Sequence, residues 1–266
     1  MSKEIKKITE KGIKKVEPYE SFCFVFDEIA EKTEHERVKY GNWHKFIKTI
    51  WKNGGLKPES LVDFACGTGS NSVIYAKEGL KVYGIDKSKG MLAVAKKKSK
   101  NLNITFIHGS FMDFKLPCKV DAAICLDFST NYLLSKEEFI KFINRVFDVL
   151  DDNGIFIFDF KPCEAFLKKE LHVKDDNFSF DCMFDIKNKP FVNVEMKIKV
   201  KDKNKNEIKE YLEKHLERGY NIDEMKEIVS KTKFKLIGFF DDCKFQEPKN
   251  DSELIQVVLR KIKKES

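Results

Sequence analysis

The sequence predicts an α/β fold: a doubly wound, mostly parallel seven-stranded sheet, interrupted late by a small antiparallel β insertion. Three observations carry this. Apolar runs and helical patterns alternate from residue 61 to residue 160, as βαβ units require. Gly67 and Gly69 follow the first apolar run and open the next helical stretch. From about 177 to 220 the pattern changes to apolar/polar alternation between polar turns, the mark of hairpin-linked strands.

In chain order, "LVDFA" (61–65) reads as a strand and "SNSVIYAKEG" as a short helix ending at Gly79. "KVYGID" (81–86) is a second strand, followed by the helical "KGMLAVAKKKSK". "ITFIHG" (104–109) and "VDAAICLDF" (120–128) are the third and fourth strands. Over 136–150, Phe139, Ile140, Ile143, Val146, Phe147 and Leu150 share one helical face, with Ser135 and Glu138 as a capping box and "DDNG" (151–154) as its stop. "IFIFDF" (155–160) is the fifth strand. "FSFDCMFDI" and "FVNVEMKIKV" form the insertion's hairpins. Asn221 and Glu224 open a last helix, and "KFKLIGFF" (233–240) and "LIQVVLRKI" (254–262) are the closing strands.

Composition narrows the function classes. The chain has 266 residues, 42% of them hydrophobic with 24 Phe, enough for a large core. Fifty basic residues oppose 43 acidic ones, for a net charge of +7. Only Arg37, Arg145, Arg218 and Arg260 are arginines, which speaks against a nucleic-acid partner. The seven cysteines show no CxxC and no Cys/His cluster, so reduced buried thiols in a cytoplasmic protein are expected, and no metal site. No run approaches the ~20 apolar residues of a membrane span. "MSKEIKKITEKGIKK" lacks a signal peptide's apolar core and reads as a solvated basic helix.

In a doubly wound sheet, ligands bind beyond the carboxyl ends of the strands. Gly67 and Gly69 allow a tight turn there and close approach of a ligand. Asp86 ends the second strand, where a carboxylate can accept both hydroxyls of a ribose. A nucleoside cofactor follows, of two possible kinds. An NAD-type binder wants a third glycine where this chain has Ser72. S-adenosylmethionine (SAM) carries no phosphate and asks less of the helix end.

"VDFACGTGS" resembles motif I of class I SAM-dependent methyltransferases. "YGIDKSKGMLAVAKKK" is similar to motif II, "HGSFMDFKLP" to the adenine-side loop, "AAICLDFSTNYLL" to the strand-four motif and "VLDDNGIFIFDF" to the fifth-strand motif. "YESFCFVFDEIAE", "YGNW" and "HLERGYNIDEM" resemble a bacterial branch acting mainly on small molecules. The resemblance implies an N-terminal helical cap (1–55), a SAM-binding α/β core (56–162 and 219–266) and a β insertion (163–218) covering the cleft. It further implies that Cys66, Gly67, Thr68 and Gly69 pack against the methionine part of SAM, with Asp63 near its amino group and Ala65 among the cofactor contacts. Asp86 would hold the ribose hydroxyls, with Lys87 beside it at the cofactor, Met91 would cover one adenine face, and Phe111 would offer its backbone N–H to the adenine. Leu126 would line the site. Ser110 stands where the family often has Asp, so that contact weakens or passes to Asp113. Tyr19 and Trp43 match aromatic positions of the cap.

The resemblance implies methyl transfer to N or O of a small molecule, with S-adenosylhomocysteine as product. Alignment supplies most of the catalysis, and a base acts where the nucleophile arrives protonated. Candidates are Asp127 and Tyr132 for catalysis, and Asp127, Asn131, Arg218 and Tyr220 for the acceptor. Asp127 either meets an amine or holds backbone N–H groups in its loop. Arg218 either holds an acidic substrate group or pairs with Glu217 or Glu213. The rivals are an RNA or protein methyltransferase, a SAM-binding regulator without turnover, and an NAD(P) oxidoreductase. "LDFS" lacks the prolines of amino-methylating DNA enzymes; cytosine-C5 enzymes carry a Pro-Cys nucleophile in that region, but "LPCK" precedes strand four and "KPCE" follows strand five, so both read as chance.

Overall fold

The computed structural model describes residues 13–32, 34–168, 170–202 and 207–262. Strand β1 (Ile13–Val16) leads to a 3-10 turn (Phe22–Phe24) and to helices α1 (Phe26–Lys32) and α2 (Glu34–Asn53). The alternating core follows: β2 (Ser60–Phe64), α3 (Ser70–Lys77), β3 (Lys81–Asp86), α4 (Lys89–Lys98), β4 (Ile104–His108) and β5 (Val120–Cys125). A 3-10 turn (Ser129–Tyr132), α5 (Lys136–Val149) and β6 (Leu150–Phe160) complete its first part. Next come a 3-10 turn (Cys163–Lys168), β7 (Leu171–Lys174), β8 (Phe178–Asp185), β9 (Phe191–Asp202) and β10 (Glu207–Arg218). The chain closes with α6 (Ile222–Ser230), β11 (Lys235–Asp241) and β12 (Ile255–Arg260).

The main sheet has seven strands in the order β11-β12-β6-β5-β2-β3-β4. Pairs from β6 to β4 are parallel, and β12 and β11 are antiparallel. The chain runs outward from β2 through β3 to β4, then returns to β5 on the other side of β2. The strand order therefore reverses between β2 and β5, where a doubly wound sheet opens its ligand crevice.

Both faces of this sheet are covered, so its strands are continuous apolar runs rather than alternating ones. On one face α5 and α6 pack Phe139, Phe142, Ile143, Met225 and Ile228 against Val62, Phe64 and Phe156. On the other, Trp43, Phe46, Ile47 and Trp51 of α2 and Tyr75 of α3 meet Leu61, Val82 and Ile124.

A second, five-stranded sheet has the order β1-β10-β9-β8-β7. Its β8, β9 and β10 are the hairpins the alternation predicts. The N-terminus departs from expectation. Residues 13–16 pair in parallel with Glu210–Glu213 of β10, so this end of the predicted basic helix is an edge strand; residues 1–12 lie outside the described residues. Its four residues, with Ile13 and Val16 half-buried and two exposed lysines between them, are too few to distinguish a strand from a helical turn. The edge strand β7 and the 3-10 turn at 163–168 were also not legible.

"DDNG" does not end α5 in a loop. Leu150 already pairs with Val120, and a register break before Ile155 absorbs the extra residues, with Asn153 at φ 64°. The helix caps follow the sequence. Ser135 Oγ accepts the Glu138 N–H, while Glu138 reaches past it to the Leu134 N–H. Asn221 and Glu224 make a full reciprocal box.

Candidate active site

A cleft of about 1360 Å³ opens at the carboxyl ends of β2, β3, β4 and β5. The loops after these strands form its floor. Residues 17–26 and the inner face of the second sheet form its walls. Tyr19, Ala65, Asp127, Phe128, Asp242 and Cys243 all line it with positive φ. Strained backbone of this kind collects at functional sites.

The two glycines of the turn answer different needs. Gly67 has φ +54°, and a Cβ built on it meets nothing within 4 Å. That bare position lines the cleft. Gly69 has φ +76°, but its Cβ would fall 3.1 Å from Phe106 and 3.2 Å from Ala95. Gly69 is thus required by packing beneath the turn, and it is the predicted cofactor residue that does not line the cleft.

Asp86 holds this turn. Its Oδ2 accepts the Gly67 N–H at 2.8 Å and its Oδ1 the Ser88 N–H at 2.7 Å. Each carboxylate oxygen keeps a further lone pair for a hydroxyl. Burial raises the Asp86 pKa, against the opposing pull of those two backbone bonds. Asp63, at the end of β2, accepts the Ser72 hydroxyl at 2.6 Å. Burial pushes its pKa to about 7, outweighing that hydrogen bond.

The remaining predicted cofactor residues converge here. Tyr19, Trp43, Ala65, Cys66, Thr68, Lys87, Met91, Ser110, Phe111 and Leu126 all line the cleft. Asp113 does not; it accepts the Ser110 N–H and Oγ–H and braces that loop. Thr68 Oγ1 donates to Asp27 of α1 at 2.6 Å, and Lys98 bridges Asp27, Thr68 and Ser70. The N-terminal segment is thereby tied to the glycine turn.

The predicted acceptor residues divide. Asp127 and Tyr132 line the cleft. Asn131, Arg218 and Tyr220 do not. Asn131 is wholly buried and splices the rejoining chain, donating to the carbonyls of Lys161 and Arg218 and accepting the Lys161 N–H. Arg218 pairs with Glu224 at 2.8 Å and stacks on Tyr220. It is a strut, with a different partner from the glutamates the sequence offered. Tyr220 donates to the Leu133 carbonyl and packs on Phe139. The loop-holding role considered for Asp127 belongs to Asp159, which accepts the N–H groups of Asp127 and Phe128.

Phe180, Cys182 and Phe184 of β8 and Met196 of β9 also wall the cleft. Behind Tyr132 lie Glu213, His215 and Glu217 of β10, all buried. Tyr132 Oη is 2.8 Å from Tyr19 Oη and 2.7 Å from His215 Nδ1. Among the described residues no group of three or more His, Cys, Asp or Glu is placed to hold a metal ion, and no helix is long and apolar enough to cross a membrane.

Residues 61–154 match the family model described as "Methyltransferase domain". "Putative methyltransferase YqeM" of Bacillus subtilis is 29% identical over 252 residues, covering 92% of this chain and 98% of that protein. The SAM-dependent methyltransferase structure from Clostridium acetobutylicum superposes with TM-score 0.78 at 21% identity, covering 92% of this chain and 99% of that one. The chain is a class I SAM-dependent methyltransferase. The sugar N-methyltransferase KedS8 from Streptoalloteichus shares the fold at TM-score 0.68 and 16% identity, over 82% of this methyltransferase and 86% of KedS8.

Sequence reasoning missed three features of this methyltransferase's site: Asp159, the Asp27 tie and the β10 face, of which it marked only His215, with Arg218 and Tyr220 in "HLERGY", as lying where the insertion rejoins the core. Alternation did carry a signal for the last. "EKHLE" puts Glu213, His215 and Glu217 on one side of a strand. Glu217 is 2% exposed. Burial pushes its pKa to about 8, against the pull of Lys161 and Tyr132, and its Oε2 finds no partner. A folded pKa raised above the ordinary value gives stability that is complete below about pH 4 and is lost as pH rises through 8, at up to about 1.4 kcal/mol per unit. Glu217→Gln keeps the neutral form at every pH. We expect it to melt with the parent at pH 4 and about 5 °C above it at pH 9, by thermal denaturation followed by circular dichroism.

Proposed function

We propose that this methyltransferase moves a methyl group from SAM to nitrogen or oxygen of a small-molecule acceptor, in the cytoplasm. The supporting observation is the open cradle at Gly67, framed by Asp86 and Asp63 and walled by the second sheet. When bound, SAM supplies a methyl group already activated on a sulfonium. The chain's residues position it. Asp86 would accept the ribose hydroxyls, Met91 and Phe111 would bound the adenine, and Asp63 would meet the amino group beside the Cys66–Gly69 turn. Residues 1–55 and 163–218 would act as two covers that exclude water from the cleft.

A small acceptor is favoured over RNA by charge. Glu17, Glu20, Asp127, Glu138, Glu170, Asp242 and Glu253 line the cleft, against Lys87, Lys89 and Lys161. A polyanion would meet repulsion there, although the whole chain is basic. The test is turnover against pooled metabolites, with product mass showing a gain of one methyl and S-adenosylhomocysteine formed in equal amount. Binding of SAM without either product across the pool would favour a regulator. Salt-sensitive binding and methylation of RNA would favour the polyanion reading.

Asp63 makes SAM affinity depend on pH. Its pKa of about 7 in the free protein leaves it largely protonated below that pH. A bound ammonium favours the carboxylate, so binding releases a proton. Calorimetric affinity should rise as pH increases from 5.5 to 7 and level above 7.5, by up to about tenfold per unit. Asp63→Asn should bind more weakly and lose that slope.

A further inference from the structure

The inner face of the second sheet is divided by chemistry. Its β8 and β9 rows present Phe180, Cys182, Phe184 and Met196, whereas β10 presents Glu213, His215 and Glu217 at alternate positions. The cross-strand neighbours of Glu213 and His215 are Met196 and Val194. Three ionisable groups in an apolar wall are costly unless they are paired.

The hydrogen bonds here have a direction. Glu213 accepts the N–H groups of Tyr19 and Ser21 at 2.7 Å, that of Phe22 at 2.9 Å and the Ser21 hydroxyl at 2.6 Å. Burial works against its ionisation, yet these bonds and His215 together keep its pKa below the ordinary value. A carboxylate only accepts, so His215 Nε2, 3.2 Å away, carries a hydrogen towards it. In a neutral ring Nδ1 is then the acceptor. Tyr132 donates to it, and Tyr132 in turn accepts from Tyr19. Both tyrosines line the cleft, while the His215 side chain is 0% exposed. The chain of hydrogens therefore runs from the cleft wall to a buried imidazole that faces an anion.

We propose that Tyr19, Tyr132 and His215 form a proton relay that takes the proton of an acceptor amine entering the cleft as a cation. This rests on the methyltransferase reading above and specifies its acceptor. The ammonium N–H bond breaks and its electron pair stays on nitrogen as the lone pair that attacks. The proton goes to the Tyr19 oxygen, the Tyr19 hydroxyl proton passes to Tyr132, and the Tyr132 proton passes to His215 Nδ1. Both tyrosines end neutral, and the imidazolium rests beside Glu213. His215 and Glu213 act through Tyr132 and are positioning residues. Burial first, then Glu217 for Tyr19 and the neighbouring Tyr19 for Tyr132, holds both phenols well above their ordinary pKa, which suits hydroxyls that pass a proton on rather than resting phenolates. The groups around the relay are Glu213 and Glu217 from β10 and, facing Glu217, Lys161 after β6 and Asp127 after β5. Glu138 and Glu170 on the acceptor side favour a cation. Phe180, Phe184 and Met196 offer its body an apolar wall.

The test has three parts, using the full chain. Calorimetry with SAM comes first; absence of binding sinks the methyltransferase reading and this proposal with it. Next, SAH formation is measured with phenethylamine, phenethyl alcohol and phenylacetate as probes. Methylation of the amine in preference to the other two supports the proposal. SAM binding with no amine methylation, or with preference for the acid, overturns it and leaves the reading standing. His215→Asn should bind SAM as the parent does, lose about 100-fold in kcat with little change in KM, and show a pH–rate profile displaced to higher pH. An unmoved profile overturns the relay. Finally, nitrogen-15 NMR of labelled histidine in the parent should show the His215 hydrogen on Nε2, with Nδ1 bare; a hydrogen on Nδ1 overturns the relay whatever the variant does.

Discussion

Gly67→Val abolishes SAM binding, with affinity falling by more than about 100-fold, or roughly 2.7 kcal/mol. Two effects combine at this position. The backbone is held at φ +54°, where a β-branched side chain is a steric outlier. The new side chain also projects into open cleft, since a Cβ there meets no neighbour within 4 Å. Relieving the first effect by rotating the backbone would pull the Gly67 N–H from Asp86. The contrast is Gly69→Ala. Its Cβ would press on the Phe106 ring and on Ala95, so it should lower the melting temperature and weaken SAM binding much less. Calorimetry on both variants, with circular dichroism to establish folding, separates them. Normal SAM affinity in folded Gly67→Val would remove the cradle from the functional reading.

The contrast between these glycines shows where the sequence was legible and where it was not. The strand–turn–helix pattern at 61–77 located the cleft because apolar runs and glycines are local signals. Nothing local distinguishes a glycine needed by a ligand from one needed by Phe106, which lies on β4, two strands over. The same limit explains the acceptor side. Arg218 and Tyr220 lie close to His215 in sequence, yet Arg218 ends β10 at an odd offset from His215, on the other side of the strand, and Tyr220 lies past the strand, before α6. They leave the wall while His215 stays in it. Asn131, a neighbour of Tyr132, faces the core because the 3-10 turn puts the two on different sides. Helix caps at Ser135 and Asn221 were legible because both partners are three residues apart. The Glu213 contacts with Tyr19, Ser21 and Phe22 span more than 190 positions and left no trace in either segment. Strand parity was the one available signal, and it placed Glu213, His215 and Glu217 together only once "EKHLE" was known to be extended.

The cleft's charge also reconciles a basic chain with a cationic cofactor. The net +7 is an average over the surface, while a ligand in the cleft would meet the local field of Asp63, Asp86 and Asp127, which line it. Low-dielectric walls strengthen that field, so net charge was a poor guide to the ligand.

Asp86→Ala should lower SAM affinity by about 100-fold or more. From sequence, Asp86 is a ribose contact whose loss leaves the turn intact. The hydrogen bonds say otherwise: the same carboxylate ties the Gly67 N–H to the Ser88 N–H across two loops. Truncation leaves two donors of the cradle unmatched, at about 1–3 kcal/mol for each group that water cannot reach, besides removing the partner of the diol. Two measurements divide these contributions. Asp86→Asn retains one acceptor oxygen but presents an NH2 to the other N–H, so its affinity should fall between those of parent and alanine variant. The parent should prefer S-adenosylhomocysteine over its 2′-deoxy analogue by about tenfold, and Asp86→Ala should bind both equally weakly. If the alanine variant binds poorly yet keeps the preference, Asp86 only scaffolds the turn and another group reads the ribose. If it binds normally, the carboxylate at the end of β3 is not part of the cofactor site.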